Sequence, residues 1–521
     1  MSQRAAPPAS AWEDADASYP ALRRALGRLI TAPGTVRVRE PVTLTERLLQ
    51  AIWYEGHFDS ADLRLADGRP LAIRSPGRWN GEAGPDFLRA ELVIGGEEVK
   101  GDVELHLAAS GWRAHGHATD PAHLGVVLHV VLDIDDGLVA DHLPTGRTIP
   151  RLELRTRLPG DLEALGCVVS GEDLPFESPA MIGRCQRVLS RLDADPQVTA
   201  FFEAAAVRRL RAKTERYASQ LGAGDFEQVF HQALFAAMGQ RASKTLFFLL
   251  AKRVPAAELR ALTRPWSGRA RLIAAQAVLL HVANLVRPAP PAAPLWDDET
   301  MSLVDAMNRV WAEVGGHFTD RVIPATAKWH TGVRPASFPS RRIAGLAHLC
   351  VGSHTGGEGL FAALREACLP FLPQGRDAKT LRGQIEHLVE RLTVEDQSDH
   401  WAWHHTLGGK RMARPAALIG DERARSVLFN AFLPLLLLWS KRARERGLFE
   451  WTLAALRAFP ALEENSVTRF MKYRVIGTPA PPKSMFRTEM RQQALFHIFT
   501  DCCDHVTTTC DHCAFFSRLP G

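Results

Sequence analysis

Cysteine is scarce in this chain. There are 8 in 521 residues, and Cys502, Cys503, Cys510 and Cys513 make up half of them. That clustering excludes a disulfide framework spread along the chain and points to one local site. A dominant charge is also missing. Lys and Arg total 63 against 58 Asp and Glu, for a net charge of +5, which by itself demands no nucleic-acid or membrane partner. The basic residues are mostly Arg and the sequence is Ala-rich, a compositional bias first and a phosphate-recognition signal second. No long apolar run is present. The longest, from Val427 to Trp439, is interrupted by Asn430 and Pro434 and is too short to cross a bilayer, so it reads as a buried core helix. The first twenty residues have no apolar core and carry Glu13, Asp14 and Asp16, which argues against a signal peptide. No Walker-type loop, dinucleotide fingerprint or Gly-x-Ser-x-Gly elbow occurs. The expectation is a soluble, cytoplasmic protein with no membrane partner.

What is present is ordinary globular composition, 46% apolar and 23% charged, which excludes wholesale disorder and coiled-coil or collagen-like designs. Residues 1–40 read as a loosely ordered Ala/Pro/Arg-rich tail with one short helix. Thr43 and Glu46 have capping-box spacing ahead of a helix running to Glu55. A β-rich stretch follows. Asp67-Gly68 lies between Leu63–Leu65 and Leu71–Ile73, and Gly95-Gly96 lies between Phe87–Ile94 and Glu98–Leu107, so two hairpins are predicted. Val126–Ile134 is nearly continuous apolar, as for a strand buried on both faces. Arg151–Arg157 alternates and predicts an edge or half-exposed strand. Beyond about residue 180 the period becomes helical, in Phe201–Gln220, Phe226–Met238, Ala270–Val286, Thr300–Val314, Ser340–Leu349, Leu381–Leu392 and Asp421–Glu445. Proline-rich breaks at 287–294 and 478–483 mark loops. The fold class is therefore α+β: a mixed-sheet module with flanking helices at 41–160, a large all-α region at 180–495, and a Cys-rich metal-binding tail at 496–521.

The stretch from Gly84 to His129 carries the most chemistry. In the strand Gly101-Asp-Val-Glu-Leu-His106, alternation places Asp102, Glu104 and His106 on one face and Val103, Leu105 and Leu107 on the other. Carboxylates and an imidazole on an internal strand need partners, and a divalent cation is a natural one. A solvated face of an ordinary antiparallel sheet is the bland alternative. His115, His117, His123 and His129 lie close by in sequence, and His115-x-His117 near His106 also fits zinc or another transition metal.

A helix with an acidic residue, a strand opening with Pro85-Asp86, a hairpin, a strand with Glu104-x-His106, then a helix and a strand: this order resembles the PD-(D/E)XK nuclease core. The resemblance implies that Asp86 and Glu104 bind Mg2+ or Mn2+ and that Glu46 or Glu55 is the helix carboxylate. His106 stands where that core has a Lys that positions or activates water. An imidazole can serve as general base, and Lys100 is an alternative for the role. Longer motifs resemble an uncharacterised bacterial family, domain of unknown function 2851. They are Glu46–Trp53, Gly84-Pro-Asp-Phe87, Gly101–His106, Trp112-x-x-His115-x-His117, Val127–Val131, Arg334–Ala344, Leu428–Pro434 and the Cys-rich tail. That resemblance implies a bacterial intracellular protein and brings no activity.

In the tail, Cys503-x6-Cys510-x2-Cys513 brings three thiolates within reach of one ion, with Cys502, His505 or His512 as a fourth ligand. Structural Zn2+ is the first reading. The spacing also resembles the iron–sulfur loop of endonuclease-III-type DNA glycosylases, which makes a cluster the alternative. Basic stripes at Arg208–Arg216, Arg341-Arg342 and Lys441–Arg446 could track a phosphate backbone, or be solvated helix faces. Trp401–His405 with Gly408–Arg411 reads as an irregular loop able to stack on a base, or as core aromatics. The functional expectation is a metal-dependent nuclease, or a relative that only binds DNA or RNA, with Asp86, Glu104 and His106 as catalytic residues. The alternative is a non-enzymatic helical scaffold with a structural metal.

Overall fold

The computed structural model describes residues 10–28, 46–60, 62–80, 84–158, 183–221, 225–239, 243–286, 296–327, 329, 337–352, 357–477, 482 and 484–503. Cys510, Cys513, His505 and His512 of the predicted tail site, the Thr43 cap and most of both proline-rich breaks lie outside the described residues. The chain divides into two compact units. One comprises Glu13–Arg209, Glu464–Arg487 and Arg491–Gly521; the other comprises Met1–Trp12, Leu210–Glu463 and Thr488–Met490.

The first unit is built on a seven-stranded mixed sheet. Its strands are β1 (Leu71–Ser75), β2 (Arg78–Trp79), β3 (Phe87–Ile94), β4 (Glu97–Ala108), β5 (Val126–Asp133), β6 (Ala140–His142) and β7 (Thr148–Glu153), in the order β1-β3-β4-β5-β7-β6, with β2 paired to β3. Gly95 and Gly96 both adopt positive φ and close the β3–β4 hairpin, as their sequence predicts. β4 and β5 are parallel, so the chain must cross back over the sheet between them. Leu49, Ile52 and Trp53 of α2 (Glu46–Glu55) share one core with Phe87, Val103, Leu105, Leu128, Val130 and Leu152. Burying each such aliphatic or aromatic side chain stabilises the unit by roughly 1.5–3 kcal/mol. α2 thereby covers the apolar face of β4 and leaves the polar face to the crossover.

Two predicted elements differ from those observed. β7 lies between β5 and β6 rather than at an edge, and Arg155–Arg157 is a turn of 3-10 helix. The alternation of Arg151 with apolar neighbours reflects a buried arginine, 0% exposed, and not a solvated face. The N-terminal helix is long, spanning Ser10–Arg28. Its Tyr19 stacks on Phe201 at 5.2 Å, and Arg23 donates to Asp501 at 2.6 Å.

The second unit is helical. Several helices start on an aspartate whose carboxylate accepts an otherwise orphaned backbone N–H. Asp225 accepts from Gln228, Asp297 from Thr300, and Asp377 from Lys379 and Thr380. The apolar run 427–439 is buried, as predicted, but it is not one regular helix. A π-turn at Leu428–Phe432 precedes the helix Leu433–Ala443, adjoining Pro434, whose ring cannot supply the helical N–H. Asn430, an interruption of the run, accepts from Lys213 Nζ at 2.7 Å through its side chain and from Tyr217 Oη at 2.9 Å through its carbonyl. Trp401 lies in a short helix, His400–Trp403, and is fully buried, so it is core and not a base-stacking loop. Among the described residues, no helix is long and apolar enough to cross a membrane.

Gly101 of β4 packs tightly against Gly125 and Val127. A Cβ there would lie 2.3 Å from Val127 Cγ1 and 2.8 Å from the Gly125 carbonyl. Gly101→Ala is expected to destabilise the protein by about 1–3 kcal/mol, the usual cost of overpacking, read as a lower urea midpoint with an unchanged slope.

Candidate metal centre

The crossover from β4 to β5 consists of α3 (Gly111–Ala114), a loop, and a 3-10 turn at Pro121–His123. It carries His115, His117, Asp120 and His123 over the polar face of β4. Gly111 permits the close approach: a Cβ would sit 2.7 Å from His106 Cδ2. Trp112 is buried in the cluster, with ring centroids 5.2 Å from His129, 5.5 Å from His117 and 6.1 Å from His123. Asp120 caps the 3-10 turn and also binds His123 Nδ1 at 3.0 Å.

Two sets of ligand atoms result, sharing His117. His106, His115 and His117 form one and Glu104, His117 and His123 the other, each with its ligand atoms within 4.8 Å of one another. Glu104 Oε1 lies 3.2 Å from His117 Nε2 and 3.9 Å from His106 Nε2, while Oε2 lies 3.7 Å from His123 Nε2. Neither ring nitrogen of His117 makes a hydrogen bond, and neither does His123 Nε2, although all three atoms are buried. Because Asp120 takes the Nδ1 proton of His123, Nε2 presents a lone pair. Imidazole ligands of metals are commonly oriented by a carboxylate in this way.

Behind this group runs a polar row. The strand register sets Glu104 beside His129 and His129 beside Arg151 on one face of the sheet. Arg151 forms a fork with Asp141, with both N···O distances at 2.6 Å, and also binds Asp136. Asp141 accepts from His129 Nδ1 at 2.6 Å. His129 Nε2 therefore accepts from His106 Nδ1 at 2.9 Å, and the lone pair of His106 Nε2 faces His115 Nδ1 at 3.0 Å. One arginine thus sets the tautomers of two buried histidines in series.

The electrostatics follow from burial. Glu104 is 6% exposed. Burial pushes its carboxyl up to about 8, opposed by the Asp86 N–H it accepts and reinforced by Glu46 and Asp120. Burial, then the neighbouring His129, His117 and His115, drives His106 far below the ordinary histidine value. His117 and His123 are lowered chiefly by burial as well, so these rings are neutral and able to ligate. Burial would raise Asp141, but hydrogen bonds from Arg151 and His129 outweigh it and its carboxyl is lowered.

The sequence-predicted residues are partly brought together. Glu104 and His106 join the cluster. Asp86 lies beside it, its backbone N–H on Glu104 Oε2 at 3.0 Å. Its own carboxylate accepts from Gln50 Nε2 at 2.5 Å and from Leu105 N at 2.8 Å, and it belongs to neither ligand set. Asp102 accepts from Arg89 N at 3.0 Å and belongs to neither ligand set. Lys100 is exposed and paired with Glu91 at 2.7 Å, so it does not take the water-positioning role. Glu46 is close enough to act on Glu104 and His117, while the side chain of Glu55 lies outside the described residues. Cys502 and Cys503 are buried. Asp120 closes the Trp112–Asp120 stretch of the acidic–histidine region, but its role as the partner of His123 was not legible. Sequence reasoning missed Asp141 and the role of Arg151, whose only signal was a charged residue inside an apolar strand. Arg341 is buried against the carbonyls of Trp401, Ala416 and Ala417, and does not face solvent as a phosphate-tracking residue would.

Arg151→Ala leaves Asp141 buried without its cation and is expected to cost about 3–5 kcal/mol in chemical denaturation. In metal-free protein, folded Glu104 holds its proton up to about pH 8 while the unfolded chain releases it near 4.5. Its contribution to stability is complete below the unfolded value and is lost as pH rises through the folded one. The stability of the wild type relative to Glu104→Gln should therefore fall between about pH 5 and about pH 8. Urea unfolding of chelator-treated protein checks this, and a flat difference contradicts it.

No curated protein and no solved structure matches the chain. One family model matches residues 46–466, a span that includes the whole histidine cluster and most of the helical unit. On that match the chain belongs to the family described as "Protein of unknown function (DUF2851)".

Proposed function

We propose that the sheet unit is a metal-dependent phosphodiesterase of nuclease type. The observation that carries this reading is the set of buried nitrogens of His117 and His123 that make no hydrogen bond and face buried Glu104. Buried polar atoms are seldom left without a partner, and a cation supplies one here. Glu104, His117 and His123 would hold the ion. Two imidazoles and one carboxylate suit Mn2+, Zn2+ or another transition metal better than Mg2+, which prefers oxygen ligands. Such an ion would lower the pKa of a bound water and offset phosphoryl charge.

The remaining residues orient and move protons. Asp120 holds His123 in the tautomer that ligates, and the Arg151–Asp141–His129 row holds His106 with its Nε2 toward His115. His115 is the exposed member of the cluster and stands 3.0 Å from His106, placed to exchange a proton with solvent or a leaving group. Phosphodiester substrates are favoured by the order of elements. α2, a strand opening on Asp86, a hairpin, a strand with Glu104-x-His106, a crossover and a parallel strand follow the nuclease core order. That analogy is one of fold, and the site chemistry carries the reaction class. A thiolate-held zinc at Cys502, Cys503, Cys510 and Cys513 remains part of the proposal. An iron–sulfur cluster there would colour the protein, whereas zinc would not.

Purified protein with Mn2+ or Zn2+ is expected to cleave single-stranded or plasmid nucleic acid. The activity should fall at least about 100-fold in Glu104→Gln and in His117→Ala, since general acid–base and metal contributions are each of this order or larger. Metal bound stoichiometrically without turnover on any phosphodiester would favour the scaffold reading instead.

A further inference from the structure

The helical unit holds a second group of this kind, far from the first in sequence. His400 opens the short helix His400–Trp403, whose N-cap is Asp399, and His404 follows the helix in extended conformation. The rings stack in parallel, with centroids 4.1 Å apart and 3° between planes. With Glu299, from the first turn of the helix Asp298–Val314, they bring ligand atoms within 4.8 Å of one another.

The burial and hydrogen bonding of these rings are unusual for structural histidines. His400 is 2% exposed and His404 0% exposed. Neither ring nitrogen of His400 has a hydrogen-bond partner, and neither does His404 Nε2. His404 Nδ1 donates to the Gly409 carbonyl at 2.9 Å, which fixes the tautomer with the Nε2 lone pair open. Glu299 is steered by Arg411, which binds Oε2 at 2.8 Å while Oε1 lies 3.9 Å from His400 Nδ1. Asp399 is not available as a ligand, because it accepts from Trp401 N, Gln276 Nε2 and His348 Nε2. Its role is to place the start of the short helix.

The group opens on a route to solvent. A cavity of about 730 Å³ is lined by Glu299 and His400, and by Arg271, Gln276, His348 and Asp399. A metal site needs such an entry path as well as ligands. We infer that Glu299, His400 and His404 form a second divalent transition-metal site in the helical unit, reached through this cavity. The donor set, two imidazoles and one carboxylate, leaves a coordination position for water or an anionic ligand. The inference does not depend on the phosphodiesterase reading of the sheet unit.

The test uses full-length protein, stripped by chelation, reduced, and titrated with Co2+. Equilibrium dialysis counts bound ions, and the visible spectrum separates nitrogen/oxygen sites from thiolate sites by the absence of sulfur-to-cobalt charge transfer. His404→Gln should lose one nitrogen/oxygen-type equivalent. Glu299→Gln should weaken that same equivalent by at least about tenfold, the loss seen even for partners outside the ligand shell. His117→Ala should remove a different equivalent, and the two losses should add. Glu299 is half-exposed at 45% of its side chain, so its amide variant is expected to fold, which circular dichroism confirms. An unchanged count and spectrum in Glu299→Gln and His404→Gln would overturn the inference. So would a wild type whose nitrogen/oxygen-type Co2+ is entirely lost with His117→Ala.

Discussion

The sheet unit turns on the burial of Glu104 among neutral imidazoles. A carboxyl that is 6% exposed cannot remain charged there without a partner, and His106, His117 and His123 around it cannot supply one while burial keeps them neutral. The fold answers part of this demand with the fork of Arg151 on Asp141, which orients His129 and through it His106. It leaves the rest open at His117 and His123. That remainder is the opening into which a cation fits. The parallel pairing of β4 and β5 is what makes the arrangement reachable, because it forces the chain to cross the sheet just where the polar face needs covering.

The two histidine groups are built alike. In each, a hydrogen bond to one ring nitrogen decides the tautomer and turns the other nitrogen inward, where it makes no hydrogen bond. Asp120 does this for His123, and the Gly409 carbonyl does it for His404. In each, one carboxylate completes the set, Glu104 in the first and Glu299 in the second. They differ in exposure. Glu104 is buried and its carboxyl is raised, whereas Glu299 lines a cavity, is half-exposed and is held by Arg411. The same parts are therefore set on different scaffolds, one on strands and a crossover and one on helix ends.

Much of the local structure was legible from period and turn chemistry. The alternation in Gly101–His106 placed Glu104 and His106 on one face. The glycine pair at 95 and 96 located the hairpin, and the apolar run of β5 marked an interior strand. Phe226–Met238 has the same bounds in sequence and structure. The differences have separate causes. Arg151 was read as part of an exposed alternating strand because alternation reports two unlike faces and not which of them meets water. Asp102 shares the parity of Glu104, yet it accepts from Arg89 N and joins neither ligand set. Parity along one strand does not report which neighbour a side chain meets. Asp86 was assigned as a ligand by analogy, but hydrogen bonds from Gln50 and Leu105 occupy its carboxylate.

The sequence by itself determined the α+β class, the strands and helices, the absence of a long apolar span, and the concentration of histidine and carboxylate between residues 84 and 129. These are properties of spacing along the chain, and short-range periodicity is enough to write them. Only the tertiary structure decided which histidines face inward, which nitrogen of each is free, and that Asp141 and Arg151 stand behind them. It also joined Glu299 to His400 and His404 across a long sequence separation. Those outcomes depend on burial and on which donor meets which acceptor, and both are set when distant segments pack together.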